Sequence, residues 1–241
     1  LKIKTNNYLT LSVSASGYGS YWTILVMAFF FISSGCALKT GKTVIYHTLD
    51  YPPPDKEFKT PIPHTLMVYR FLLAPDVESD SLLISRPKGA EKSVRLHRWQ
   101  DNPADLVTDI LLRDLQASGL FQKTVDQLSD VRYRYALEGT LRDLHGVIKN
   151  GHTSAVVALE VVFTDFEAPR ATEKDLLKKT YKVEIPSKNA SAESILAAFN
   201  AGVKEISGLL RADIHTALEK KTDAAGADKK RRLAAQQQLP V

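Results

Sequence analysis

Between Ser191 and Leu218, apolar residues recur at Ile195, Leu196, Phe199, Val203, Ile206, Leu209, Leu210 and Ile214. Steps of three and four place them on one stripe of an α-helix. Such a helix is about 42 Å long at 1.5 Å per residue. A stripe of that length has to be covered, and a sheet is the simplest cover.

The preceding chain supplies the strands. Val44–Leu49, Leu66–Leu73, Ser81–Arg86 and Ser93–Trp99 are short apolar or alternating runs, and Pro87 to Glu91 reads as a hairpin turn. Tyr51-Pro52-Pro53-Pro54 stops the first of them. The Pro- and Lys-rich stretch to Pro63 reads as an exposed, extended loop, or as a docking motif for a partner. At Asn102 the period changes. Asn102 can cap a helix, Pro103 suits its first position, and Asp105 suits its positive end. Leu106, Ile110, Leu111 and Leu115 form its stripe, and Gly119 closes it. Strands follow over Arg132–Leu144, Ser154–Phe166 and Leu176–Ile185. The pattern predicts one α/β domain over residues 44–219, with a mixed, largely antiparallel sheet covered by two main helices. Residues 220–241 have no apolar period and read as a disordered polar tail.

The N-terminal part has a different character. Trp22–Ile32 is apolar for eleven residues, well short of the roughly 20 that a membrane span needs. Lys2 and Lys4 are the only charges before it, and Ser33, Ser34 and Gly35 lead to Cys36, the sole cysteine. A basic start, a short apolar run and small residues make the pattern of a processed secretory leader, residues 1–35. A short span and a buried core helix are the alternatives. Ser33-Ser34-Gly35-Cys36 resembles a bacterial lipobox, with Ser33 where Leu is usual. In such a motif the thiolate is alkylated by a diacylglycerol and the chain is cut between Gly35 and Cys36. The expectation is a covalent diacylglycerol and an N-acyl chain such as palmitate on Cys36, a tether over residues 36–43, and no other cofactor. By the lipoprotein sorting rule, Ala37 in place of Asp points to the outer membrane, facing the periplasm.

Charge and motif patterns narrow the function. The full chain carries +5, and residues 1–35 account for two lysines and no acids. The remaining +3 is too mild to indicate nucleic acid. Thr40-Gly41-Lys42-Thr43 lacks the earlier glycine of a phosphate loop, where Cys36 stands instead. His47, His64, His97, His145, His152 and His215 show no metal-ligand spacing along the sequence. No nucleophile elbow is present. Asp105, Asp109, Asp114 and Arg113 read as the solvated face of the first helix. No catalytic or metal site is expected, and the chain is not expected to be an enzyme.

The ordered set Tyr46, Ile84 near Arg86, Arg98-Trp99, Ser118-Gly119-Leu120-Phe121 and Leu137-Glu138-Gly139 resembles the ABC-type transport auxiliary lipoprotein family, in its paraquat-inducible protein C-like branch. The resemblance spans about residues 44–218 and implies an anticodon-binding-domain-like α/β fold. It implies an outer-membrane lipoprotein of an MCE-type ABC system that moves lipid between the inner and outer membranes. The implied partner is the periplasmic MCE-domain subunit and, through it, the permease and ATPase. Homo-oligomerisation is left open. Arg98 and Trp99 are the candidate partner interface, and a core plug is the other reading of Trp99. An anchored lipid-binding carrier or periplasmic enzyme is the alternative function.

Overall fold

The computed structural model describes residues 43–75, 77, 81–85 and 92–237. The leader, Gly35, Cys36 and nearly all of the tether lie outside the described residues. Among the described residues there are nine strands and two α-helices: β1 Ile45–His47, β2 Ile62–Val68, β3 Leu72–Leu73, β4 Ser81–Ser85, β5 Lys92–Trp99, α1 Pro103–Ser118, β6 Phe121–Asp126, β7 Tyr135–Lys149, β8 His152–Asp165, β9 Asp175–Ser187 and α2 Ala192–Gln237. The expected α/β domain with a mixed sheet and two helices is what the chain forms. No helix among the described residues is long and apolar enough to cross a membrane.

β7 is the spine of the sheet. On one side it pairs with β8 along its whole length, and β8 pairs with β9, all antiparallel. Its other side is shared by three parallel strands in turn: β2 at Tyr135–Leu137, β3 at Thr140–Leu141 and β4 at Gly146–Val147. β2, β3 and β4 therefore line one edge of β7 in succession. β6 adds parallel to β2, β5 antiparallel to β4 as the expected hairpin, and β1 parallel to β5. A bulge sits at Arg142, because Leu141 faces Leu159 while Asp143 faces Ala158. One extra residue reverses which side chains point inward. Before it the buried residues are Tyr135, Leu137 and Leu141 on the inward positions, with the small Ala136 between them; after it the buried apolar residue is Leu144.

α1 is closed at both ends by the residues expected. The Asn102 side chain accepts from the Ala104 amide at 2.9 Å, and Gly119 is left-handed at φ 71°. A Cβ at Gly119 would also stand 3.0 Å from Lys56 Cε and 3.3 Å from the Phe58 carbonyl oxygen. The crowding comes from residues 49–58, which form a strap rather than a plain exposed loop. Glu57 and Phe58 donate their amides to the Ser118 carbonyl at 3.0 and 3.1 Å, and Leu49 and Tyr51 are buried.

α2 lies on the β8–β9 side of the core. Ile195, Phe199, Val203, Ile206, Leu210, Ile214 and Leu218 are buried along it. Leu209, placed in the stripe from sequence, is 45% exposed, because the buried positions follow steps of four and three that pass it by. At Gly202 the helix approaches the sheet closely, and a Cβ there would meet Val157 Cγ2 at 3.0 Å. α2 does not stop at Leu218. It runs on to Gln237, across the segment read as a disordered tail. Ala, Lys, Arg and Gln are good helix formers, and a polar composition rules out burial without ruling out helix.

Trp99 packs in this core, 4% exposed, with its ring 5.8 Å from that of Phe199. The structure thus gives it the role of core plug. A side chain so covered presents almost no surface to a partner, and its neighbour Arg98 is the exposed member of the pair. Gly139 has a packing role too: a Cβ there would stand 2.6 Å from the Phe71 ring and 2.9 Å from the Glu160 carbonyl oxygen. Trp99→Ala is expected to cost roughly 3–5 kcal/mol, as for other buried aromatics. Gly139→Ala is expected to cost about 1–3 kcal/mol through overpacking. Urea denaturation of each variant measures both, and wild-type midpoints would contradict these packing roles.

Candidate functional site

Where β2 and β7 begin and β8 ends, one end of the sheet meets α2. Ile62, Pro63 and His64 of β2, Arg134 and Tyr135 at the start of β7, and His215, Leu218, Glu219, Lys221, Thr222 and Asp223 of α2 line a cleft of about 700 Å³. Beside it lies Asp165, the last residue of β8, with 0% exposure.

Asp165 is held by groups from three segments. Arg134 donates from Nη2 at 2.9 Å and from Nε at 3.1 Å, and Lys221 of α2 donates to the same carboxylate. The Glu167 amide adds a bond at 2.8 Å. Burial pushes the Asp165 carboxyl up, but the bonds from Arg134, Lys221 and the Glu167 amide outweigh it and hold the group at about 2. The Nη1 of Arg134 lies 3.1 Å from His64 Nε2. Arginine only donates, so that imidazole nitrogen accepts and His64 carries its proton on Nδ1. The guanidinium also lies 5.1 Å from the centre of the Tyr135 ring. Two cations on one buried carboxylate make a latch between the sheet and α2, with no nucleophile–base pair in it.

A second polar cluster lies between the strap and the helices. Asp114, assigned from sequence to a solvated face, is 1% exposed. It accepts from Tyr51 Oη and Ser207 Oγ at 2.7 Å each and from Arg113 Nη2 at 2.9 Å. Arg211 donates to Ser207 at 2.6 Å and to both Glu57 oxygens at 2.9 and 2.7 Å. Burial, then the bond to Asp114, pushes the Tyr51 phenol far above its ordinary range, so it stays a donor. Sequence spacing could not find this cluster, because Asp114 lies 63 residues from Tyr51 and 93 from Ser207.

At the opposite edge, His47 of β1 and His97 of β5 stack with ring centres 5.0 Å apart and share a 2.7 Å hydrogen bond. They are 50 residues apart in sequence, so strand pairing alone unites them. Burial and the neighbouring His97 push the His47 imidazole down. Among the described residues no three potential ligands gather to hold a metal ion. An aromatic group formed by Tyr69, Tyr133 and Phe166 sits near the loops after β2 and β8. Phe166 is 48% exposed, its ring 5.6 Å from that of Tyr133, whose hydroxyl lies 2.7 Å from that of Tyr69.

The latch makes stability depend on acid in a defined window. Asp165 is depressed from 3.8 to about 2. Its contribution is fully present above about pH 4 and is lost as pH falls towards 2, because the unfolded chain takes up the proton first. The shift corresponds to roughly 2 kcal/mol. Asp165→Asn is expected to lower stability at neutral pH by about 2–4 kcal/mol, less than for a fully buried pair, since Arg134 and Lys221 stay about a quarter exposed. It should also flatten the profile between pH 2 and 4. Urea titrations across that range check it, and an unchanged profile would contradict the latch.

No family model matches the sequence, and no curated protein matches it. Among solved structures, the chain is similar to a protein of Xanthomonas campestris described as family-model DUF330, at TM-score 0.60 and 16% identity, covering 75% of this chain and 99% of that one. It is also similar to an uncharacterised protein at TM-score 0.54 and 12% identity, covering 71% and 99%. A fainter likeness, at TM-score 0.29 and 12% identity, is to a lipoprotein of Neisseria meningitidis, covering 61% and 99%. At these identities the first two likenesses establish a shared fold.

Proposed function

We propose that the chain is a lipid-anchored docking component of an MCE-type ABC transport system that moves lipid between the inner and outer membranes. What supports this most is the sequence pattern of a leader over residues 1–35 directly before Cys36, together with a domain whose motifs serve packing. Gly139 makes room for Phe71, Gly119 for the strap, and Trp99 plugs the core. The fold shared with the DUF330 protein fits the α/β domain of this reading. In it, acyl chains on Cys36 hold the domain at the outer membrane. Each buried CH₂ adds about 0.8 kcal/mol, so two or three chains give a stable anchor. The domain then receives the periplasmic MCE-domain subunit and performs no turnover. Exposed Arg98 and the half-exposed Phe166 are the first contact candidates; Arg and aromatic residues are enriched at interface hot spots.

One observation favours a second reading. The cleft beside Asp165 has the volume of a small-ligand pocket, which fits an anchored lipid-binding carrier or enzyme.

Mass spectrometry of the protein from its native host is expected to show an N-terminal, acylated Cys36. Cys36→Ser is expected to abolish acylation and to remove the protein from the outer-membrane fraction. The wild-type lipoprotein is expected to co-purify with an MCE-domain protein. A native protein that retains Leu1 would sink the anchor. Turnover of phospholipid by the chain would sink the docking role in favour of the second reading.

A further inference from the structure

The positive charge of this chain is segregated. From Cys36 to Leu218 basic and acidic residues are equal in number. From Glu219 onward there are six basic residues against three acidic ones, so the whole surplus beyond the leader sits in the extension of α2. Lys221 is committed to Asp165. Lys229, Lys230, Arg231 and Arg232 follow one another along the helical backbone. At about 100° per residue, four consecutive positions spread round most of the helix circumference. They form a collar rather than a face.

We infer that this collar binds the anionic headgroup layer of a phospholipid membrane. A protein partner is met by a face with apolar anchors set among charges; a collar suits a diffuse layer of negative charge, which it meets whichever way the helix is turned. Basic clusters on a helix near a bilayer are attracted to anionic lipid in this way. Among the described side chains the last buried apolar residue of α2 is Leu218, and the latch at Lys221 fixes the base of the extension. The inference rests on the anchored reading only in supposing that a membrane is near. It needs no MCE partner, so failure of docking and failure of lipid binding are separate results.

The test uses the full chain carrying Cys36→Ser, which has no acyl chain. Co-sedimentation is measured with vesicles of phosphatidylglycerol and phosphatidylethanolamine, and with vesicles of phosphatidylcholine alone. Binding to the anionic vesicles is expected to be stronger and to weaken as salt is raised. Replacing Lys229, Lys230, Arg231 and Arg232 together by Gln is expected to reduce it about tenfold or more, without changing binding to phosphatidylcholine or the melting temperature. Lys229→Arg with Lys230→Arg is expected to bind as wild type. Equal binding of the Gln variant and wild type to anionic vesicles would overturn the inference. So would wild-type binding that ignores lipid charge, or a Gln variant that loses only capture of an acidic protein partner.

Discussion

The packing of α2 on the sheet is the constraint from which the rest of this structure follows. Its buried residues from Ile195 to Leu218 cover the inward side chains of β8 and β9, and Gly202 lets the helix come close enough for Val157 and Val183 to touch it. That contact fixes which face of β8 is inward: Val157, Leu159, Val161 and Phe163. β8 in turn fixes β7, and β7 supplies the edge on which β2, β3 and β4 dock in succession. Trp99 closes the same core from β5 through Phe199.

Polar groups then fix the position that apolar packing leaves adjustable. Burial of carboxylates is costly unless they are paired and hydrogen-bonded. Asp114 and Asp165 meet that condition, each with several donors from distant segments. Asp114 joins the strap, α1 and α2. Asp165 joins the start of β7, the end of β8 and α2. The two clusters hold α2 at successive positions, Ser207 and Lys221, and they set where the charged extension begins.

The parts legible in the sequence were those decided by local physics. Asn102, Pro103 and Gly119 delimit α1 because capping and left-handed backbone are local matters. β8 was legible as a long apolar run because both of its faces are largely buried, and the stripe of α2 because one face is. What escaped was decided by partners far away in the chain. The parallel order along β7 depends on crossovers that leave no periodic trace. The bulge at Arg142 is a single-residue change of phase inside an alternating run. The burial of Asp114 and the meeting of His47 with His97 depend on residues 50 or more positions away. The extension of α2 was missed because composition reports what can be buried, and an exposed helix buries little. Of the cleft beside Asp165, His64 and His215 were visible in the sequence only as histidines without ligand spacing, and nothing local joined them to Arg134 or Asp165.

The account makes α2 a single helix with two regimes: a stripe held by the core and latch, and a charged continuation beyond Lys221. Hydrogen–deuterium exchange resolved along the chain tests this most directly, because protection tracks local opening. Amides from Ile195 to Leu218 are expected to exchange as slowly as those of β8, and those beyond Lys221 far faster, with the change of regime at the latch. Slow exchange continuing without a step to Gln237, or fast exchange already between Ile195 and Leu218, would contradict it.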